Sequence, residues 1–272
     1  MININNYFIK DKKLKPLIIA EISANHCGKK SLFLKTIKAA AANGADLIKI
    51  QTYEPQDITV NRKFKIKGKI INTWKLYKEA QTPFKWHEDA FRLAQKLKIQ
   101  LFSTPFSIRA VNFLKKFKVK LFKISSFEIT DTNLILNIAK TKKPIIISTG
   151  MASIEDIKKC IKVINRYHNK IILLHCVSGY PTSENQANLN RIKNLKKLFP
   201  KYNIGLSDHT DDILTSLSSI PIGVKIIEKH FIYNKRIKSL DSKFSISLLK
   251  VNKSFLSEDG TRKWLFKLKD GK

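Results

Sequence analysis

The sequence is poor in cysteine, glycine, proline and acidic residues. Its three cysteines, Cys27, Cys160 and Cys176, are odd in number, far apart and without a C-x-x-C pair. That excludes a disulfide scaffold or a zinc ribbon and fits a reducing, cytoplasmic location. Nine Gly and eight Pro in 272 residues exclude collagen-like and low-complexity chains. No apolar run approaches the ~18 residues of a membrane span. Residues 1–15 mix Asn, Lys and Ile and show no signal-peptide core, so no membrane partner is expected. Acid is scarce: 21 Asp and Glu stand against 52 Lys and Arg, a formal net charge of +31. The lysines are spread along the chain without interleaved aromatics. Solvated helix faces therefore explain them better than a nucleic-acid-binding module does, and attraction of an anionic small substrate fits either reading.

What is present is an alternation. Eight strand-sized apolar segments recur: Leu17–Ser23, Asp46–Thr52, Ile99–Phe106, Lys120–Ser126, Pro144–Gly150, Lys170–Ser178, Asn203–His209 and Val224–Phe231. Their Ile, Leu and Phe content is that of strands buried on both faces. Amphipathic helical patterns lie between them. Ser31–Asn43 ends at Gly44, Ser153 and Asp156 make a capping-box signal, and Asn188–Phe199 carries Leu189, Ile192, Leu195 and Leu198. Asp212–Ile220 carries Ile213, Leu214, Leu217 and Ile220. This is the pattern of a (β/α)8 TIM barrel. The competing doubly wound sheet wants a Gly-rich turn after its first strand, and Glu21–Gly28 is not one. The expected boundaries are an extension over 1–14 with a hairpin around Lys10–Lys13, the barrel over 15–245 with an incomplete last helix, and a basic tail over 246–272. The long basic, aromatic stretch Tyr53–Lys85 follows strand two, where barrels carry functional loops.

Each segment begins apolar and ends polar, and in a barrel those ends meet at one mouth. Strand parity places Lys49 with Gln51, Ser207 with His209, and Glu228 with His230. Lys49 and Lys123, flanked by Thr104, Ser125, Ser126, Ser148 and Ser207, read as a site for phosphate or carboxylate. Glu21 reads as an acid–base carboxylate, as a salt-bridge partner of Lys49 or Lys123, or as both. His209 and His230 end consecutive strands and read either as a hydrogen-bonded pair or as ligands of a divalent ion with open positions. Cys176 reads as a small core residue and His87 as structural.

The runs Ile18–His26 (IIAEISANH), Ile48–Tyr53 (IKIQTY), Phe102–Phe106 (FSTPF), Phe122–Ser126 (FKISS), Ile147–Met151 (ISTGM), Leu174–Cys176 (LHC), Tyr180–Thr182 (YPT), Gly205–His209 (GLSDH) and Ile227–Phe231 (IEKHF) together resemble the sialic acid synthases. Ala24–His26, Gln81–His87 (QTPFKWH) and Asp241–Ser245 (DSKFS) look most like the pseudaminic acid branch. The resemblance implies condensation of phosphoenolpyruvate with an open-chain N-acetylated sugar to give a nine-carbon acid and phosphate. It places Lys49, Thr104, Lys123, Ser126, Ser148 and Ser207 on phosphoenolpyruvate, and Gln51, Ser178, Tyr180 and Asp241 on the sugar. By the same resemblance His209 and His230 hold Mn2+ or Mg2+, and Glu21 is the acid–base carboxylate. N-acetylneuraminate or legionaminate synthesis is the alternative within the family. The family continues into an antifreeze-like domain, exchanged between protomers, that lends an arginine to the partner's sugar site. The sequence to Lys272 lacks that domain's pattern, so the expectation is a possible homodimer without the exchanged domain, and a barrel of little activity is a further alternative.

Overall fold

The computed structural model describes residues 4–8, 15–66 and 69–247. After a 3-10 turn at Ile4–Phe8, strand β1 (Leu17–Glu21) leads to helix α1 (Lys30–Ala42) and β2 (Leu47–Thr52). An excursion follows: the short α2 (Pro55–Ile58), an antiparallel hairpin of β3 (Lys63–Ile66) and β4 (Lys69–Asn72), and α3 (Thr73–Ala80). The alternation resumes with α4 (Phe84–Lys96), β5 (Gln100–Pro105), α5 (Ile108–Lys115), β6 (Phe122–Ile124) and α6 (Thr132–Ala139). It ends with β7 (Ile145–Ser148), α7 (Ile154–Ile164), β8 (Ile171–Cys176), α8 (Asn190–Leu198), β9 (Asn203–Asp208), α9 (Leu214–Ser219) and β10 (Ile226–Ile232). The eight strands outside the hairpin pair in parallel in chain order, and β10 closes on β1, which makes a (β/α)8 barrel. A two-residue β11 (Ile246–Ser247) adds to the far end of β10. Among the described residues no helix is long and apolar enough to cross a membrane.

Local chemistry explains the boundaries. Ser153 caps α7: its hydroxyl accepts from the Asp156 N–H, and the Asp156 carboxylate accepts from the Ser153 N–H. Such a cap is worth about 1 kcal/mol. Helix α1 stops because Gly44 takes φ +88°, a left-handed conformation costly to other residues, which lets the Ala45 N–H reach the Ala40 carbonyl. Inside the barrel Leu17, Ile19, Leu47, Phe102, Leu121, Ile146, Ile172, Leu174 and Ile226 fill the lumen. Ile4 and Tyr7 close it from below, and the Tyr7 carbonyl accepts from the Asn203 side chain. Gly205 is required in that lumen, because a Cβ there would sit 2.5 Å from the Ile226 carbonyl oxygen and 2.6 Å from Leu174. A second apolar shell lies between strands and helices, and each buried Ile or Leu contributes about 1.5–3 kcal/mol.

Three details differ from the sequence reading. Helix α9 buries Thr215, Ser216 and Ser219, while Leu214 is exposed. The reason is polar: Asp208 at the end of β9 accepts from Ser216 and pairs with Lys229, so the small hydroxyl face must meet the barrel. Leu198 of α8 is also exposed. Not every polar strand end faces the mouth: Ser103 bonds the Ile50 carbonyl, and His175 bonds the Ala187 carbonyl, both outside the lumen. The hairpin expected around Lys10–Lys13 and the tail beyond Ser247 lie outside the described residues.

Candidate active site

Successive inward positions carry the site. Along β2 the lumen row runs Leu47, Lys49, Gln51; along β10 it runs Ile226, Glu228, His230; beyond Gly205, the β9 row continues through Ser207 to His209. The apolar members fill the lumen and the polar members rim a cavity of about 640 Å3 at the C-terminal strand ends. Lys49, Gln51, Thr104, Lys123, Ser125, Ser126, Ser148, Cys176, Tyr180, Ser207, His209, His230 and Asp241 all line it, as does Glu228. The excursion after β2 roofs it with Ile58, Leu76, Tyr77 and Ala80.

Glu228 organises the floor of the cavity. Its Oε1 accepts from Lys49 Nζ at 2.8 Å and from the Ser207 hydroxyl at 3.0 Å, with Lys123 Nζ at 3.5 Å. Lys123 also donates to Ser148 at 2.7 Å. Burial works against the charge of Glu228, but Lys123 and Lys49 outweigh it and hold the carboxyl well below the usual range. Burial likewise opposes the charge on Lys49, and Glu21 and Glu228 overcome it, so its ammonium is held. For Lys123 burial prevails over the attraction of Glu228, and its pKa falls to about 8. Glu21 lies 3.0 Å from Lys49, and its burial raises its pKa despite that partner. Lys49 and Lys123 thus share Glu228 as a counter-charge, and Glu21 stands as a second carboxyl beside Lys49. Around them the hydroxyls of Thr104 and Ser125 are buried without a hydrogen-bond partner. Each such group costs about 1–3 kcal/mol, a cost that a bound oxygen-rich ligand removes.

The two histidines stand at the rim with ring centroids 5.4 Å apart. His209 Nδ1 is 2.8 Å from the Val177 carbonyl, so that nitrogen donates a proton there and Nε2 is the one left for a ligand. His230 Nδ1 is buried without a hydrogen-bond partner, 3.6 Å from an Asp241 oxygen. Tyr180 lies against His209 at 4.3 Å between centroids. Among the described residues no three His, Cys, Asp or Glu side chains form a metal cage. Two imidazoles with an orphaned nitrogen fit an ion whose remaining positions belong to substrate or water.

Two expected residues do not reach the cavity wall. Glu21 ends β1 in register with Lys49 and His230, but it is fully buried, its carboxyl turned to Lys49 at 3.0 Å. Ser178 turns toward Gly150, where a Cβ would be 2.6 Å from its hydroxyl, since the chain leaves the barrel after Cys176. Sequence reading also gave no role to Glu228, although its parity with His230 marked it, nor to Glu128. Glu128 sits in the loop after β6 and lines the cavity, and burial pushes its pKa up to about 7. No strand periodicity signals a loop residue of that kind. His87 is structural, bonded to Thr52, and His26 packs edge-on against Trp86.

A closed parallel barrel with a cationic, hydroxyl-lined mouth is the class of protein that this architecture defines. The NeuB family model matches residues 36–255. The chain is 44% identical over 246 residues to pseudaminic acid synthase of Campylobacter jejuni, covering 88% of this chain and 71% of that one. It is 41% identical over 238 residues to pseudaminic acid synthase of Helicobacter pylori, covering 85% and 70%. Among solved structures, the N-acetylneuraminic acid (sialic acid) synthetase of Leptospira borgpetersenii superposes with a TM-score of 0.81 at 32% identity, covering 89% of this chain and 82% of that one. The chain belongs to the NeuB family.

Proposed function

We propose that this chain is a nonulosonic acid synthase, a transferase that condenses phosphoenolpyruvate with an open-chain N-acetylated six-carbon sugar, and that its product is pseudaminic acid. The observation that carries this reading is the buried Lys49–Glu228–Lys123 cluster set among unpartnered hydroxyls in a cavity of about 640 Å3, in a chain 44% identical to a pseudaminic acid synthase. Lys49 and Lys123, with Thr104, Ser126, Ser148 and Ser207, bind the phosphate and carboxylate of phosphoenolpyruvate. Gln51, Tyr180 and Asp241 face the sugar. His209 and His230 would hold a divalent ion, Mn2+ or Mg2+, which when bound polarises the sugar aldehyde.

The chemistry asks three things of the chain itself. It must hold the methylene carbon of phosphoenolpyruvate against the aldehyde carbon, so that the new C–C bond forms there. It must deliver a proton to the aldehyde oxygen, and Glu128, with a pKa raised to about 7, is suited to carry it. It must stabilise phosphate as water adds at the enol carbon and the C–O bond to phosphate breaks, which the two lysines and the hydroxyls do. Glu21, 3.0 Å from Lys49, sets the orientation of that lysine and supports its charge. Phosphoenolpyruvate as a substrate places the reaction in the cytoplasm. Incubation with phosphoenolpyruvate and each of three sugars tests the specificity: 2,4-diacetamido-2,4,6-trideoxyaltrose, its legionaminate-type isomer and N-acetylmannosamine. The first should give the nine-carbon acid by mass spectrometry at the highest kcat/KM. Preference for either of the others would reassign the product.

A further inference from the structure

The barrel's topology sorts the acids rather than the bases: exposed cations also stand on the mouth side, as Arg62, Lys63, Lys65, Lys235, Arg236 and Lys238 do, but the opposite face is nearly free of carboxylate. Each connection from a helix C-terminus to the next strand lies on the floor, the face opposite the mouth. In five of them, spanning 96–98, 115–120, 140–143, 166–170 and 197–201, at least two exposed Lys or Arg are present. Among the described residues the one carboxylate in these floor connections is Asp46, which is tied down by the Ile18 N–H. Acids collect on the mouth side, as with Glu128 and Asp131 after β6, Glu155 and Asp156 in the first turn of α7, and Asp211 and Asp212 after β9.

Helix dipoles account for part of this sorting, because cations are favoured in a last helical turn by about 0.3–1 kcal/mol each. They do not account for Lys118, Lys120, Lys142, Lys143, Lys170 and Lys201, which stand beyond the helix ends. Like charges gathered on one face repel and weaken the fold unless a counter-surface is present.

Two further features say what that counter-surface is. Leu97 and Leu198, among the exposed large apolar residues, both lie on this face, amid the lysines. At its edge a shallow cavity of about 420 Å3 has Ile161 and Phe199 at its base and Lys158, Lys162 and Arg166 around it. An apolar base within a cationic rim suits a phosphate head group joined to an acyl chain. A nucleic-acid surface would offer exposed aromatic rings for stacking, and among the described residues the exposed Phe and Tyr side chains, Phe64, Phe127, Tyr180 and Tyr233, belong to the β3–β4 hairpin and to connections on the mouth side. Lysine, a point charge without a planar fork, suits a diffuse head-group layer.

We propose that the barrel floor docks the enzyme on an anionic lipid surface, with the substrate cavity turned toward solution. The attachment is peripheral and electrostatic.

The test is co-sedimentation of the full chain with vesicles of phosphatidylcholine containing about one-third phosphatidylglycerol, against vesicles of phosphatidylcholine alone. The chain should bind the anionic vesicles and be released as salt rises toward the physiological range and beyond. The combined variant Lys120→Glu, Lys143→Glu and Lys201→Glu should lose at least tenfold in vesicle affinity. A control of equal charge change on the mouth side and helix flanks, Lys29→Glu, Lys35→Glu and Lys159→Glu, should lose less than threefold. These side chains are all exposed, and far-UV circular dichroism checks that both variants fold. The variant pair Leu97→Ser and Leu198→Ser should weaken binding without changing its salt dependence. Equal losses in the floor and control variants would overturn the proposal. So would absence of binding at low salt, or tighter binding of a DNA duplex than of the vesicles at the same salt.

Discussion

Lys49 Nζ is held 2.8 Å from Glu228 Oε1, and both residues are almost wholly removed from water. A buried pair of this kind gives little net stability while intact, because desolvation offsets most of the attraction. Breaking it exposes the full cost of an unpaired charge. Glu228→Gln leaves two desolvated ammonium groups without their shared counter-charge. We expect a loss of about 3–5 kcal/mol in denaturant unfolding, with part of it restored by adding Lys49→Met. A loss under about 1 kcal/mol would show that the pair does not organise the cavity floor.

On the proposed assignment, Lys123 should make binding of phosphoenolpyruvate depend on pH. Its pKa in the free protein lies at about 8, below the usual lysine value, because burial outweighs Glu228. A bound anion favours the ammonium and raises that pKa. Affinity is therefore greatest below pH 8 and falls as pH rises through it, and binding takes up a proton near about pH 9 but not near about pH 7. Calorimetry in buffers of different ionisation enthalpy measures that uptake. Lys123→Met should abolish it, and uptake that persists in the variant would assign it to another group.

Glu128 should shape the turnover profile. Its pKa of about 7 lets it donate a proton below neutrality and not far above it. The wild-type kcat should fall on the alkaline side of pH 7, and Glu128→Gln should remove that limb and lower kcat by about 10²–10⁴-fold. A variant with an unchanged pH profile would exclude Glu128 as the proton carrier.

Gly205→Ala probes the packed lumen. A Cβ there meets the Ile226 carbonyl oxygen at 2.5 Å, so backbone must shift. We expect a loss of about 1–3 kcal/mol, read as a lower Tm, with the cavity's polar rim preserved.

The barrel was legible because strands buried on both faces are written as continuous apolar runs, and Ile145–Ser148 or Ile171–Cys176 allow few other structures. Most of the wall was legible from parity: once Lys49 faces inward, Gln51 must follow, and Glu228 brings His230 with it. Depth within the lumen was not legible. Register sets Glu21 beside Lys49 and His230, and which side chain closes over which is fixed by pairing between distant segments. Glu128 and Ser178 lie on loops, whose course is fixed by tertiary contacts rather than by a period. The buried face of α9 was misread because Ser216 answers a buried Asp208, a polar partner that hydrophobic spacing does not register.

The most direct measurement is phosphate release from phosphoenolpyruvate with 2,4-diacetamido-2,4,6-trideoxyaltrose and Mn2+, followed together with formation of the nine-carbon acid. Wild-type chain should release phosphate in step with product, and Lys49→Met, Lys123→Met and His230→Ala should each fall by at least about 10²-fold. Wild-type chain that leaves phosphoenolpyruvate intact, or variants that turn over at the wild-type rate, would contradict the assignment of this cavity.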